Sequence, residues 1–542
     1  MSVIINPILR GFNPDPSILR VGEDYYIATS TFEWWPGVQI HHSRDLINWE
    51  LMGHVLTEKR LLDMTGNPNS GGVWAPCLSY NGGVFYLVYT DVKSLAGNFK
   101  DTHNYVITAE NILGPWSDPV FLNSSGFDPS LFHDEDGHKW LVNMIWDHRK
   151  NRNSFHGIVI QEFSESEGKL IGDPEIIFRG SHLGFTEGPH IYKRNGWYYL
   201  MTAEGGTGYE HAVTMARSRY LKGPYELDPI TPILTSWETD RKLQKAGHAS
   251  LVETQTGEWY LAHLCSRPIP GERRSPLGRE TGLQRCYWSE DEWLRVLVSE
   301  VYKEVFGTSG PSDYVLGPLL PVQSRTVIPE LDHFNSEFLN VQYASLREPL
   351  DPTWISLRDR PGFLRLRGRE SLNSLHRQSL IARRQQSLRC EVETCVEFDP
   401  ASFQQLAGLI VYYNSKNYFY LRISRDEILG KCLNILSSAN GQYDEVLEQD
   451  IVIEGWKSVY MKAQIVGSGL QFHYSKDGLH WSPIGSVLDA GRLSDEACSR
   501  FQDGYFTDWG FTGTFLGICV QDLTGQSKHA DFDYFAYRED ES

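Results

Sequence analysis

Three observations predict an all-β chain, a five-bladed β-propeller followed by a β-sandwich. A proline-marked stretch returns five times, an aromatic-centred strand follows each copy at hairpin distance, and the repeat then gives way to unspaced alternating runs. The five stretches are "NPDPSIL", "WAPCLSY", "FDPSLFH", "EGPHIYK" and "GHASLVE", aligned on Pro16, Pro76, Pro129, Pro189 and Ala249. Their spacings are 60, 53, 60 and 60 residues. The second aromatic of the following run (Tyr26, Tyr86, Trp140, Tyr199, Tyr260) falls 10 or 11 residues later, with Gly-, Asn- and Asp-rich turns between. Three copies continue into a second signature, "HHSRDLINWE", "TAENILGPWSD" and "ARSRYLKGPYE", in which an aromatic opens a further strand beyond a polar turn. Two hairpins per unit make four antiparallel strands, and four-stranded units at a fixed period are the mark of a propeller. An irregular sandwich has no reason to keep such spacing.

The repeat places residues 1–320 in the propeller, ending at the Pro-rich connector "GPLLPVQSRTVIPE". In residues 321–542, runs such as "FLRLRG", "CEVETCVEF", "GLIVYYN" and "YFYLRIS" read as strands of two packed sheets. A chain of 542 residues is too long for one core, so two domains are expected.

Composition narrows the function classes. A formal charge of −19 argues against nucleic acid and against an anionic membrane, both of which need a basic surface. No run approaches the ~18 apolar residues of a membrane span, and no basic-then-apolar leader is visible. The 8 cysteines are scattered without a Cys-x-x-Cys pair, which suits reduced thiols and a cytoplasmic location. Aromatics reach 13%, a supply of flat faces with polar edges that suits sugar rings as well as β cores.

The first stretch holds one acid between two prolines. Pro14 and Pro16 each fix a φ and restrict the preceding residue, so Asp15 is expected to be extended at the start of Ser17-Ile18-Leu19. In a propeller the first strands line a central channel and begin at one mouth. The alignment therefore brings Asp15, Asp128, Glu187 and His248 together from four blades. Three carboxylates near one axis repel one another and lose hydration, a cost that folding does not require. Two of them are the minimum for glycoside hydrolysis, one protonated and one ionised, and a third can hold the acid's pKa up. Phe12, Phe32, Trp34, Trp35, Trp74, Phe127, Trp146 and Phe185 lie near the strand starts and ends, and as a set suggest sugar stacking.

"NPDPS", "GFDPSLF" and "TEGPHIY", in this order and spacing, resemble glycoside hydrolase family 43. "STFEWWPGVQIHHSRDLINW", "GGVWAPCLSY", "LGRETGLQ", "IARRQQ" and "FTGTFLGICVQD…ADFDYF" resemble its two-domain β-xylosidase branch, whose sandwich is concanavalin-like. The resemblance implies an exo-acting, inverting enzyme that releases xylose from short β-1,4-xylo-oligosaccharides, with relatives that also cleave α-L-arabinofuranosides. It makes Asp15 the general base, Glu187 the general acid, and Asp128 the residue that raises and orients the acid. Arg279 and His248 would lie at the pocket floor or channel, and Phe32, Trp74, Trp146 and Thr207 would shape the terminal-sugar site. Phe511, from the sandwich, would close it. Arg285-Cys286 in "GLQRCYW" departs from the less bulky, uncharged pair expected near Arg279. No cofactor is required. The resemblance admits a hydrated, non-catalytic calcium at His248, and a structural one between Asp332 and Asp531 in the sandwich, while the residues alone show no metal set. It also suits a homo-oligomer. A retaining five-bladed hydrolase of the invertase and fructanase type is the alternative, although its Asn-Asp-Pro-Asn-Gly, Arg-Asp-Pro and Glu-Cys-Pro boxes do not occur here. A non-catalytic carbohydrate-binding propeller is the other, and it would not need the three acids.

Overall fold

A computed structural model describes residues 2–298, 310–324, 327–502 and 505–540. Five four-stranded units stand around one axis, each hydrogen-bonded in chain order. Their first strands are Ser17–Val21, Gly72–Asn81, Ser130–His133, Glu187–Arg194 and Gln244–Glu253. Each returns through a tight hairpin to the aromatic-centred second strand, as in the pairing of Leu19 with Tyr26 and of Ser79 with Tyr86. Blade 4 carries one extra short strand. Its fourth strand, Glu226–Leu227, covers only half of the third, and Leu234–Thr235 pairs with the uncovered half at Ala212 and Val213.

Because blade 5 (Gln244–Val296) is complete from its own residues, the amino-terminal segment is free to lie along it. Val3–Ile5 pairs with Tyr314–Leu316, and Leu9 bridges Thr281. The Asn6 side chain donates to Leu283 and Ser312 carbonyls and accepts the Leu283 N–H, which staples the start of the chain to its last blade.

The aligned position of all five blades is a bend with positive φ: Asp15 (+54°), Ala75 (+34°), Asp128 (+56°), Gly188 (+57°) and His248 (+37°). The expectation that Asp15 is extended is therefore wrong. Proline at the next position bars only the right-handed helical region, and the bend takes the left-handed one, which Asp tolerates better than most residues. The same bend breaks the strand register in blades 2, 4 and 5, between Trp74 and Cys77, Glu187 and His190, and Gly247 and Ala249.

Two antiparallel sheets form the second domain. One runs from Ile355–Ser356 through Leu364–Arg367, His529–Glu539, Arg389–Glu397, Ser458–Val466 and Gly469–Ser475 to Ser482–Asp489. The other orders Ser379–Arg384, Phe515–Asp522, Gln405–Asn414, Asn417–Asp426, Gly430–Ala439 and Gln442–Glu445. Every residue of Gln405–Asn414 is buried. Alternation explains it: Ala407, Leu409, Val411 and Tyr413 enter the core between the sheets, while Leu406, Ile410 and Tyr412 join a cluster shared with the propeller. That shared cluster includes Phe12, Trp34, Ala382, Tyr420 and Phe515, and Trp34 stacks on Phe515 with ring centres 3.6 Å apart. The strand Trp34–Trp35 also pairs with Ser345–Leu346. Phe12, Trp34 and Trp35 thus belong to the buried body of the protein and not to a sugar-binding wall. No helix of the described residues is long and apolar enough to cross a membrane.

Candidate active site

A cavity of about 370 Å³ opens where the first strands begin, and the ten residues to which the resemblance gives a role line it: Asp15, Asp128, Glu187, Phe32, Trp74, Trp146, Thr207, His248, Arg279 and Phe511. The blade bends deliver the acids. Asn13 then brings in Arg279, since its N–H donates to the Arg279 carbonyl at 2.9 Å and its own carbonyl accepts the Thr281 hydroxyl at 2.6 Å. From there Arg279 Nη1 reaches Asp15 Oδ1 at 3.3 Å. Arg285 and Cys286 do not disturb this corner, for Arg285 pairs with Glu258 at 3.0 Å and Cys286 is buried in the core between blades 4 and 5.

The three acids are all buried but differ in partners. Asp15 accepts the Ser30 hydroxyl on Oδ2 at 2.7 Å and faces His248 Nδ1 at 3.7 Å as well as Arg279. Burial raises its pKa, but Arg279, His248 and the Ser30 bond together outweigh burial and hold it below the ordinary range. Glu187 has only the weaker pull of Arg279. Burial, then Asp128 and Asp15, push its carboxyl well above the usual value, and its Oε1 has no protein partner among the described residues. Asp128 lies between: burial raises it to about 6 against the pull of His248 and of the Gly188 N–H, which donates to Oδ2 at 3.1 Å. Within one cavity the two carboxyls are thus displaced in opposite directions, Asp15 downward and Glu187 upward.

Aromatic rings line the rest. Phe32 is clamped to blade 2 by a reciprocal backbone pair with Val73, which sets it 5.9 Å from Trp74. Phe127, Trp146, Phe155 and Phe185 continue the wall, and Thr207 stands in the loop between the second and third strands of blade 4. The sandwich completes it with the segment Trp509–Thr514. Ser70 of blade 2 donates its hydroxyl to the Trp509 carbonyl at 2.9 Å and accepts the Phe511 N–H at 3.3 Å. Thr514 N–H donates to the Pro276 carbonyl at 2.7 Å. Gly278 lets this segment close in, since a Cβ there would meet the Thr512 carbonyl at 2.2 Å and its φ is +71°. Phe511 sits 6.0 Å from Phe32 and 5.8 Å from Trp74, and its carbonyl accepts from Arg279 Nη2 at 3.2 Å.

Sequence reasoning missed Lys100, Tyr209, Lys245, Asp495, Glu496, Phe506 and Trp509, which also line the cavity. Lys245 lies at the start of the first strand of blade 5, and the others sit in loops, in a short strand and in a short helix outside the repeat. Lys245 is buried against Glu496 at 2.6 Å and Asp495 at 3.6 Å, an ion cluster across the two domains at the cavity edge.

Neither suggested calcium position has a ligand cage. Asp531 is occupied by Arg365 and Arg360 at 2.7–3.0 Å, and Asp332 Oδ1 accepts the Phe334 N–H at 2.8 Å. His248 is one imidazole packed on Gly188, and among the described residues no three His, Cys, Asp or Glu side chains gather as a metal set.

A five-bladed propeller with two buried carboxyls displaced in opposite directions in an aromatic-walled cavity fits a glycoside hydrolase. Residues 4–294 match glycosyl hydrolases family 43, and residues 331–538 match the β-xylosidase C-terminal concanavalin A-like domain. The chain is 51% identical to a β-xylosidase of Bacillus subtilis (strain 168), over 99% of both chains. It is 49% identical to xylosidase/arabinosidase 43B of Humicola insolens, over 99% of this chain and 98% of that one. The crystal structure of xylan β-1,4-xylosidase from Bacillus halodurans C-125 superposes with a TM-score of 0.94 at 54% identity, covering 99% of this chain and 100% of that one. The chain belongs to glycosyl hydrolases family 43.

Proposed function

We propose that the protein releases single xylose units, with inversion, from the non-reducing end of short β-1,4-xylo-oligosaccharides, with an α-L-arabinofuranosidase side activity. The observation that carries it is the opposite displacement of Asp15 and Glu187 within one aromatic-walled cavity. The names of the Bacillus and Humicola relatives supply the sugar. Glu187 gives its proton to the glycosidic oxygen as the bond from C1 breaks. Asp15 takes a proton from the water whose oxygen bonds to C1 on the opposite face. Xylose and a chain one unit shorter leave, and the proton passes from Asp15 back to Glu187 through solvent. Asp128 keeps Glu187 protonated until it is needed, and Arg279 keeps Asp15 charged. An inverting pair needs roughly 6.5–9.5 Å between its carboxyl groups, room for the attacking water. The test is proton NMR of xylobiose hydrolysis: α-xylose is expected first, and β-xylose first would contradict the reading. Activity on an aryl α-L-arabinofuranoside measures the side reaction. A reducing, cytoplasmic setting is supported by the cysteines, all 8 of them buried and unpaired.

A further inference from the structure

Lys100 differs from the other cations of the cavity wall. Arg279 faces Asp15 at 3.3 Å and Lys245 faces Glu496 at 2.6 Å. Among the described residues no carboxylate pairs with Lys100. Its ammonium donates to the Leu95 carbonyl at 2.7 Å and stands 4.5 Å from the ring centre of Trp146 and 5.1 Å from that of Trp509. One of three donor protons is thus used, and the two indoles offer it π faces but no counter-charge. The indole N–H of Trp509 is buried and also lacks a protein acceptor. Burial is the influence acting on the Lys100 pKa and brings it down to about 8, so the ammonium is still charged at neutral pH.

Its place along the wall is set. The Trp146 N–H donates to the Asn98 carbonyl at 2.7 Å, which ties residues 98–100 to blade 3. Phe99, between them, is 71% exposed, so this segment forms the rim. Following the wall inward, Lys100 touches Trp509, Trp509 lies 5.0 Å from Phe511, and Phe511 lies 5.1 Å from Arg279 beside Asp15. Two aromatic residues therefore separate Lys100 from the base. In the proposed reaction the xylose to be released sits between Asp15 and Glu187, and a leaving unit that extends from it to the rim meets Lys100.

A charged donor with no counter-ion, set between two flat rings, makes an anion receptor built for a sugar. We propose that Lys100, Trp146 and Trp509 accept a leaving unit that carries a carboxylate, as in a xylo-oligosaccharide oxidised to an aldonic acid at its reducing end. The inference rests on the proposed hydrolysis and adds a substrate class to it.

The test compares xylobionate with xylobiitol, which share an open-chain leaving unit and differ in the carboxylate, with xylobiose beside them as a measure of the hydrolysis itself. The wild-type protein is expected to cleave xylobionate with the higher kcat/KM. In Lys100→Met the ratio of the two kcat/KM values should fall about tenfold or more, the weight of one charge-assisted hydrogen bond. If that variant does not fold, the wild-type ratio read against pH replaces it. The ratio should fall as pH rises through about 8, where the ammonium loses its proton, because Asp15 and Glu187 act equally on both substrates. A wild-type ratio at or below one, or a ratio that neither the variant nor pH moves, overturns the receptor. Failure to release xylose from xylobiose would overturn the proposed function instead.

Discussion

Ser30 spans two blades with one hydroxyl, donating to Asp15 Oδ2 and accepting the Ala75 N–H, both at 2.7 Å. A base must be ionised, so activity is lost as pH falls through the Asp15 pKa. The Ser30 bond is one of the influences that lower that pKa, and its removal raises it. In Ser30→Ala the acidic limb of kcat/KM on an aryl β-xyloside should therefore move to higher pH, and an unmoved limb would contradict the assignment of Asp15. The other limb belongs to Glu187, whose pKa is raised first by burial and next by Asp128. Activity is lost as pH rises through it, so Asp128→Asn should bring the basic limb to lower pH. Glu187→Gln should slow xylobiose far more than an activated aryl xyloside, whose leaving group needs no proton, while Asp15→Asn should slow both. Equal losses across the two substrates for both variants would contradict the division of labour.

At the scale of the element, the blade and its bend behave differently as sequence signals. The blades were legible because two hairpins of nearly constant length recur, and hairpin length is local. The bend was not, because Pro16 and its counterparts announce restriction without saying which remaining region is taken. Asp15, Asp128 and Glu187 were legible because they ride on that repeat. Lys100, Asp495 and Trp509 lie on a connection and on the other domain, where no period relates them to the axis, and Lys245, though on the first strand of blade 5, falls outside the aligned stretch. Among the bend residues, Gly188 is the one without a side chain, and a Cβ there would press on the His248 ring at 3.0 Å. Gly188→Ala should destabilise the protein by about 1–2 kcal/mol from the left-handed backbone alone, with the ring contact added. A denaturant melt measures it, and an unchanged midpoint would show that the bend is not held by its surroundings.

For the molecule as a whole, the contact between propeller and sandwich is a core and not a hinge. The strand Gln405–Asn414 is apolar on both faces, Trp34 stacks on Phe515, and Arg384 Nε donates to the Phe12 carbonyl at 2.6 Å. Proteins of two domains commonly unfold in two steps. Here one calorimetric transition is expected, because neither sheet pair keeps its apolar faces covered without the other. Trp34→Ala should lower it by about 3–5 kcal/mol, the range for emptying a large aromatic site. Two separated transitions in the wild type would show the domains to be independent.

Arg279 touches both halves of the site, Asp15 through Nη1 and the Phe511 carbonyl through Nη2. On the ribosome those halves do not arrive together. The last strand of blade 5 ends at Val296, and Phe511 follows more than two hundred residues later. At about 5–20 residues per second that is roughly ten to forty seconds of synthesis. Throughout it, the nascent chain has its three acids without the segment whose carbonyl holds the Arg279 guanidinium. The unfinished chain is therefore expected not to hydrolyse, and a chain truncated before Phe511 that still released xylose would contradict this.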